Sequence, residues 1–210
     1  MLWRLCLSYT RPTYVLTKAD PEKQQAFERE IDLIKKTSHN DTVLLYQDET
    51  HVRAYQSLHD TWSEVGKQKQ VSTYGHHARI ILFGTLNVMT VDVLHQTSFS
   101  CKQEDFLSFL QLVANHYKDQ LIAMVVDNSK IHRSQLIQDF IAKNGRILLI
   151  YLPPYSPDLN SIERLWKWLK ETVIANRFHS TRSSIEEAMN SFLTEISKNP
   201  GDVLRRMGIA

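Results

Sequence analysis

Residues 121–128, Leu-Ile-Ala-Met-Val-Val-Asp-Asn, pass from an unbroken apolar run to a carboxylate and an amide in a single step. A short continuous apolar run suits a strand covered on both faces of a sheet. A carboxylate at the end of such a strand stands where open α/β sheets place their sites. An earlier run, Val43-Leu44-Leu45-Tyr46, leads in the same way to Gln47-Asp48-Glu49. A third stretch, residues 152–166, reads Leu-Pro-Pro-Tyr-Ser-Pro-Asp-Leu-Asn-Ser-Ile-Glu-Arg-Leu-Trp. Its prolines forbid regular structure over 152–159 and predict a stiff loop. A helix follows from Ser161 and carries Glu163 in its first turn.

Working outward, Asp20-Pro21-Glu22 is a helix start, and Phe27, Ile31 and Ile34 recur on one side through residue 37. Thr42 to Asp48 reads as a central strand. Val52 to Leu58, Arg79 to Val88 and Val91 to Thr97 read as antiparallel strands, rich in β-branched and aromatic residues. Ser100 with Gln103 resembles a capping box for a helix reaching about Tyr117, with Phe106, Phe109, Leu110 and Val113 inward. Leu121 to Val126 is the next strand, and a helix containing Leu136, Ile137, Phe140 and Ile141 closes at Asn144-Gly145. Ile147 to Tyr151 is the last strand. Ile162, Leu165, Trp166, Leu169 and Val173 mark the buried side of the helix from Ser161. Ser183 and Glu186 cap one more helix, carrying Ile185, Met189, Phe192, Leu193 and Ile196. This order predicts a mixed α/β sheet flanked by helices. Right-handed crossovers set the Asp127 strand parallel to the Asp48 strand, with both aspartates near carboxyl ends.

A chain of 210 residues that is 42% apolar suits one main domain with appendages. No apolar run approaches the ~18 residues of a membrane span, and Ser8-Tyr9-Thr10-Arg11 interrupts the apolar opening too soon for a signal peptide. The expected location is the cytoplasm, associated with the nucleoid. Cys6 and Cys101 have no spacing that suggests disulfides or zinc, so both are read as reduced and structural. Adjacent residues on a strand point to opposite faces, so the pair His76-His77 argues little for a histidine metal site. Net charge is only +2, but residues 125–183 carry nine Lys or Arg against five Asp or Glu. That excess suits either a phosphate backbone or a solvated helix face.

Asp48, Asp127 and Glu163 are the candidate chemical groups. Ionised carboxylates held together repel one another unless a cation compensates them. Magnesium takes a few carboxylate oxygens and keeps waters that phosphate oxygens can replace. Each residue also has a structural reading. Asp48 could cap a turn, and Glu163 occupies the third helical position after Asn160, from which it could reach back to the cap amide. Strand alternation sends Glu49 away from Asp48. Asn128 and His132 could line the site, although a histidine in a first helical turn is equally a surface residue. Trp166 is core by its spacing, and Trp168 is partly exposed.

Asp48 in Tyr-Gln-Asp-Glu, Asp127 in Val-Asp-Asn with His132 following, and Ser156-Pro157-Asp158-Leu159-Asn160-Ser161-Ile162-Glu163 with Leu165-Trp166 resemble the catalytic domain of the mariner superfamily of DDE transposases, bacterial insertion-sequence branch. Trp62 and Gly66 also match, and the resemblance spans about Asp41 to Val173. It implies a ribonuclease H-like fold with a five-stranded sheet. It also implies an acidic triad of Asp48, Asp127 and Glu163 holding Mg2+, for which Mn2+ can substitute. The 35 residues between the latter two are close to the family's usual spacing. Ser161 replaces a proline often found there.

The implied activity is metal-dependent DNA strand cleavage and strand transfer, with transposon ends and target DNA as partners and a homodimer as the active complex. Phosphate contacts are expected from Lys130, Arg133, Arg164, Lys167 and Lys170. Residues 1–40 are expected to be the remnant of a DNA-binding region with a linker helix, 41–178 the catalytic domain and 179–210 a helical extension. Relatives carry helix-turn-helix modules ahead of the catalytic domain, and here only Met1 to about Leu16 could be the tail of one. The expectation is therefore a truncated or split transposase, its ends read by a companion helix-turn-helix polypeptide. The rivals are a transposase remnant that binds DNA or dimerises as a regulator, and another ribonuclease H-like nuclease such as a hybrid-cleaving ribonuclease.

Overall fold

The structure, a computed structural model, describes residues 16–37, 41–54, 58–72 and 78–207. One five-stranded sheet, ordered β3-β2-β1-β4-β5, organises it. The strands are β1 (Thr42–Arg53), β2 (Arg79–Asn87), β3 (Val93–Ser98), β4 (Leu121–Val126) and β5 (Ile147–Tyr151). β1 runs antiparallel to β2 and parallel to β4, and β4 runs parallel to β5. The mixed sheet and the parallel setting of the two aspartate-bearing strands therefore follow the expectation.

Alternation along β1 feeds two cores. Val43 and Leu45 face α2 (Gln103–His116) and α3 (Gln135–Asn144), where Phe106, Phe109, Val113 and Ile137 are buried. Leu44 and Tyr46 face α1 (Pro21–Thr37), α4 (Ser161–Leu169), α5 (Arg182–Ser197) and α6 (Pro200–Met207). Phe27 and Ile31 of α1 join that second core, so this helix packs on the sheet. Trp166 crosses β2 at Gly84, where an added Cβ would lie 2.5 Å from the indole ring. No helix among the described residues is long and apolar enough to cross a membrane.

Several boundaries differ from those expected. The strand that begins at Thr42 does not end at Asp48, and no separate strand starts at Val52. Asp48↔Gly84 through Arg53↔Arg79 are continuous rungs with β2, because ladder hydrogen bonds come from the backbone and ignore the polarity of Asp48 to His51. Leu58 lies outside any strand, and residues 55–57 lie outside the described residues. Val91 is in a turn at φ 60, so β3 starts at Val93. Helix α2 is capped at Lys102, whose amide donates to Asp105 at 3.0 Å, and Ser100 serves only as a further donor to Asp105. Helix α5 is capped by Thr181, in a reciprocal pair with Ser184, while Glu186 pairs with Arg182. After Leu169 the chain widens into a π-helical turn, Lys170–Ile174. Helix α6 falls within the expected helical extension as a second helix that the sequence pattern did not mark, and it buries Val203 and Met207. The close at Gly145, φ 67, is as expected. His76-His77, Cys6 and the possible helix-turn-helix tail lie outside the described residues, while Cys101 is a free thiol pushed up to about 11 by burial and by Glu49.

Candidate active site

The last parallel rung between β1 and β4 is Tyr46↔Val125. Asp48 and Asp127 each lie two residues past it, so alternation turns both toward the face that α4 covers. Asp48 stands inside the long β1, not at its end as the sequence suggested, because β2 carries β1 onward after β4 has stopped. Glu163 enters from the first turn of α4. The three carboxylates line one cavity of about 410 Å³. Among the described residues, however, no three His, Cys, Asp or Glu side chains are gathered closely enough to hold a metal ion.

Their surroundings shift two of these carboxyls upward. Burial, then the charges of Glu163, Glu49 and Asp127, push the Asp48 carboxyl up to about 8. Partial burial also holds Glu163 above the usual carboxylate range, against the pull of Lys170. The negative charges of Glu163 and Asp127 both bear on Asp48, and that of Asp127 bears on Glu163, a burden that a hard cation would relieve. The donor chemistry fits a divalent ion of the magnesium type.

Glu163 is not needed as a cap. The Asn160 amide donates to the Pro157 carbonyl at 2.8 Å, and Asn160 Nδ2 donates to the Gln47 carbonyl at 2.9 Å. The buried Asn160 thus ties the start of α4 to the strand residue before Asp48 and sets the approach of Glu163.

Asp127 is half exposed. Its Oδ1 accepts from the Ser129 amide at 2.8 Å and lies 2.9 Å from His132 Nδ1. The hydrogen bond with His132 holds this carboxyl below its ordinary value. His132 is fully buried in a 3-10 turn, Lys130–Arg133, and is not a surface residue of a first helical turn. Its Nε2 lies 3.1 Å from Glu49 Oε1, and its ring packs on Phe106 with centroids 4.4 Å apart. Burial pulls the imidazole down, but the bonds to Asp127 and Glu49 outweigh it and raise the group to about 9. Glu49 does point away from Asp48, as alternation requires, yet it meets the site from behind through His132. Sequence reasoning missed that role, since nothing in the local pattern pairs residue 49 with residue 132. Asn128 lines the cavity and donates to the Leu152 carbonyl, joining the exits of β4 and β5.

The basic residues divide. Lys170, half-buried in the π-helical turn, is pulled down by burial while Glu163 and Asp48 favour its charge. Lys167 and Lys170 line a cleft beside Glu163, and a second cleft joins Asp48, Glu163 and Lys170 to Arg53 and Arg79, which the sequence reading did not single out. Arg133 is exposed, 4.2 Å over the Tyr151 ring and bonded to Asn128. Lys130 is exposed outside these clefts, and Arg164 is drawn to the Met207 carbonyl of α6. Trp166 is core, and the half-buried Trp168 packs edge-on against Phe192.

A mixed five-stranded sheet with helices on both faces, and three acids lining one cavity past its central parallel pair, defines a ribonuclease H-like domain. The catalytic domain of Mos1 mariner transposase shares the fold, with TM-score 0.63 at 11% identity, covering 95% of this chain and 91% of that one. The Mos1 mariner paired end complex with Mn gives TM-score 0.72 at 12% identity, over 99% of this chain and 64% of that one. In sequence, the insertion element IS630 uncharacterized 39 kDa protein of Shigella sonnei is 31% identical over 159 residues. The match takes in 75% of this chain and 46% of that protein, so the chain spans about half the length of this curated relative. The sequence model of the DDE superfamily endonucleases matches residues 43–186. The chain belongs to that family.

Proposed function

We propose that this chain is the catalytic part of a DNA transposase, cutting and joining DNA strands with Mg2+, or Mn2+, held by Asp48, Asp127 and Glu163. The observation that carries the reading is one cavity reached by two strand aspartates and a helix glutamate, separated by up to 115 positions yet all inside the matched family region. Solved relatives with the same fold include Mos1 paired end complexes with Mn and with Mg and a Mos1 strand transfer complex.

When bound, divalent ions would activate an attacking oxygen and stabilise the leaving oxygen of a phosphodiester. The protein's own residues do the rest. Asp48 and Asp127 present oxygens from a rigid sheet, Asn160 fixes how closely Glu163 approaches, and His132 with Ser129 orients Asp127. Lys167, Lys170, Arg53 and Arg79 line the clefts along which a phosphate backbone would run. In this reading residues 41–178 are the catalytic unit, flanked by 1–40 and 179–210. A helix-turn-helix module, on the same or a companion polypeptide, recognises the ends, and two copies make the active complex.

The test is Mg2+- or Mn2+-dependent nicking of duplex DNA carrying the element's ends. Wild-type protein should nick it, and Asp127→Asn should reduce nicking to background while leaving the melting temperature within a few degrees. Equal activity in the variant would overturn the assignment.

A further inference from the structure

The cavity that holds the three acids has a second wall of a different kind. Leu152, Pro153, Pro154 and Pro157 line it together with the carboxylates, and so does Tyr155, with 53% of its surface exposed. Tyr155 sits at φ 58, a left-handed backbone conformation that a bulky side chain seldom adopts. Such outliers persist only where the surroundings impose them, and they cluster at ligand clamps. Here the imposing contacts are visible. Ser156 Oγ accepts from Gln24 Nε2 of α1 at 2.9 Å and donates to the Pro154 carbonyl at 3.3 Å. Leu159 and Asn160 donate back to Ser156 and Pro157. These bonds hold the loop in a shape that leaves an aromatic ring in the lining of an acidic cavity. The ring has one charged neighbour, Lys18 Nζ, 5.8 Å from its centroid, a cation that also suits a phosphate beside a stacked base.

Carboxylates suited to cations and an apolar, partly aromatic lining in one cavity match the two parts of a nucleotide, its phosphate and its base. We infer that this cavity binds a nucleobase of the strand being cut, stacked on Tyr155, next to the phosphate held at Asp48, Asp127 and Glu163. A base inside an intact duplex cannot present its face to a side wall, so the occupant is an unpaired or extruded one. Aromatic stacking of this kind tolerates any base, which leaves sequence choice to other parts of the protein. The inference rests on the strand-cutting reading for the location of the phosphate.

The experiment is quenching of 2-aminopurine in a single-stranded oligonucleotide, compared with the same base inside a duplex. Wild-type protein should quench the single strand and not the duplex. Tyr155→Phe keeps the ring and should behave as wild type. Tyr155→Gly suits φ 58 better than tyrosine does but removes the ring. It should fold at least as stably, yet lose roughly tenfold or more in affinity for the single strand, the scale of one lost stacking contact. If Tyr155→Gly binds and quenches like wild type, or if wild type quenches nothing, the inference is overturned. Binding is read without cleavage, so failure of metal-dependent nicking would sink the strand-cutting reading while this result stood, and the reverse outcome would do the opposite.

Discussion

Asp48 carries a heavy electrostatic load. Its carboxyl, raised from an ordinary 3.8 to about 8, binds a proton more tightly folded than unfolded. Its contribution to stability is therefore fully present below about pH 4 and lost as pH rises through about 8. His132, raised from 6.5 to about 9, acts in the same direction over a higher window. Metal-free protein should lose stability between pH 6 and pH 9. Asp48→Asn removes the strained charge, so its melting temperature at pH 8 should exceed that of wild type and show a weaker pH dependence. Thermal melts at pH 6 and pH 8 in chelator check this, and a lower melting temperature for the variant at pH 8 would contradict it. Added Mg2+ should stabilise wild type more at pH 8 than at pH 6, because protons compete for the same oxygens.

Among the elements, the seating of α4 on β2 decides whether Glu163 reaches the aspartates. Gly84 lets the Trp166 ring approach the strand opposite Asp48 in register. Gly84→Ala should force the ring and α4 outward, costing roughly 1–3 kcal/mol of stability as an overpacked core does. Urea denaturation measures the loss, and nicking activity should fall with it as Glu163 moves. Much at this scale was legible in the sequence. The apolar runs at 43–46 and 121–126, the prolines of 152–159 and the Leu165-Trp166 spacing located both central strands, the loop and the helix. What escaped was long-range. The polar residues 48–51 disguised the continuation of β1, which depends on β2 as a partner. The cap of α4 depends on Gln47, and the burial of His132 depends on Glu49 and Phe106, none of them close in sequence.

Taken whole, the molecule is a sheet between two helical layers, with its acids on one side and their brace on the other. Neighbouring residues of β1 serve both sides, Asp48 facing α4 and Glu49 facing α2, and His132 joins Glu49 to Asp127 around the end of β4. Glu49→Gln keeps the size of the side chain but loosens this brace. Loss of such an outer partner typically costs 10–100-fold in metal affinity or activity. A Mg2+ titration of nicking should show a higher half-maximal concentration with little change in unfolding, and an unchanged metal requirement would refute the coupling.

The contact of Phe106 with His132 extends that chain of contacts into the α2 layer, on the sheet face away from Glu163. A drifting copy of this gene with a smaller residue at position 106 would retain every acid and every basic residue of its clefts, and still cut poorly. Surveys that score such copies as intact by their three carboxylates alone would overcount the live ones.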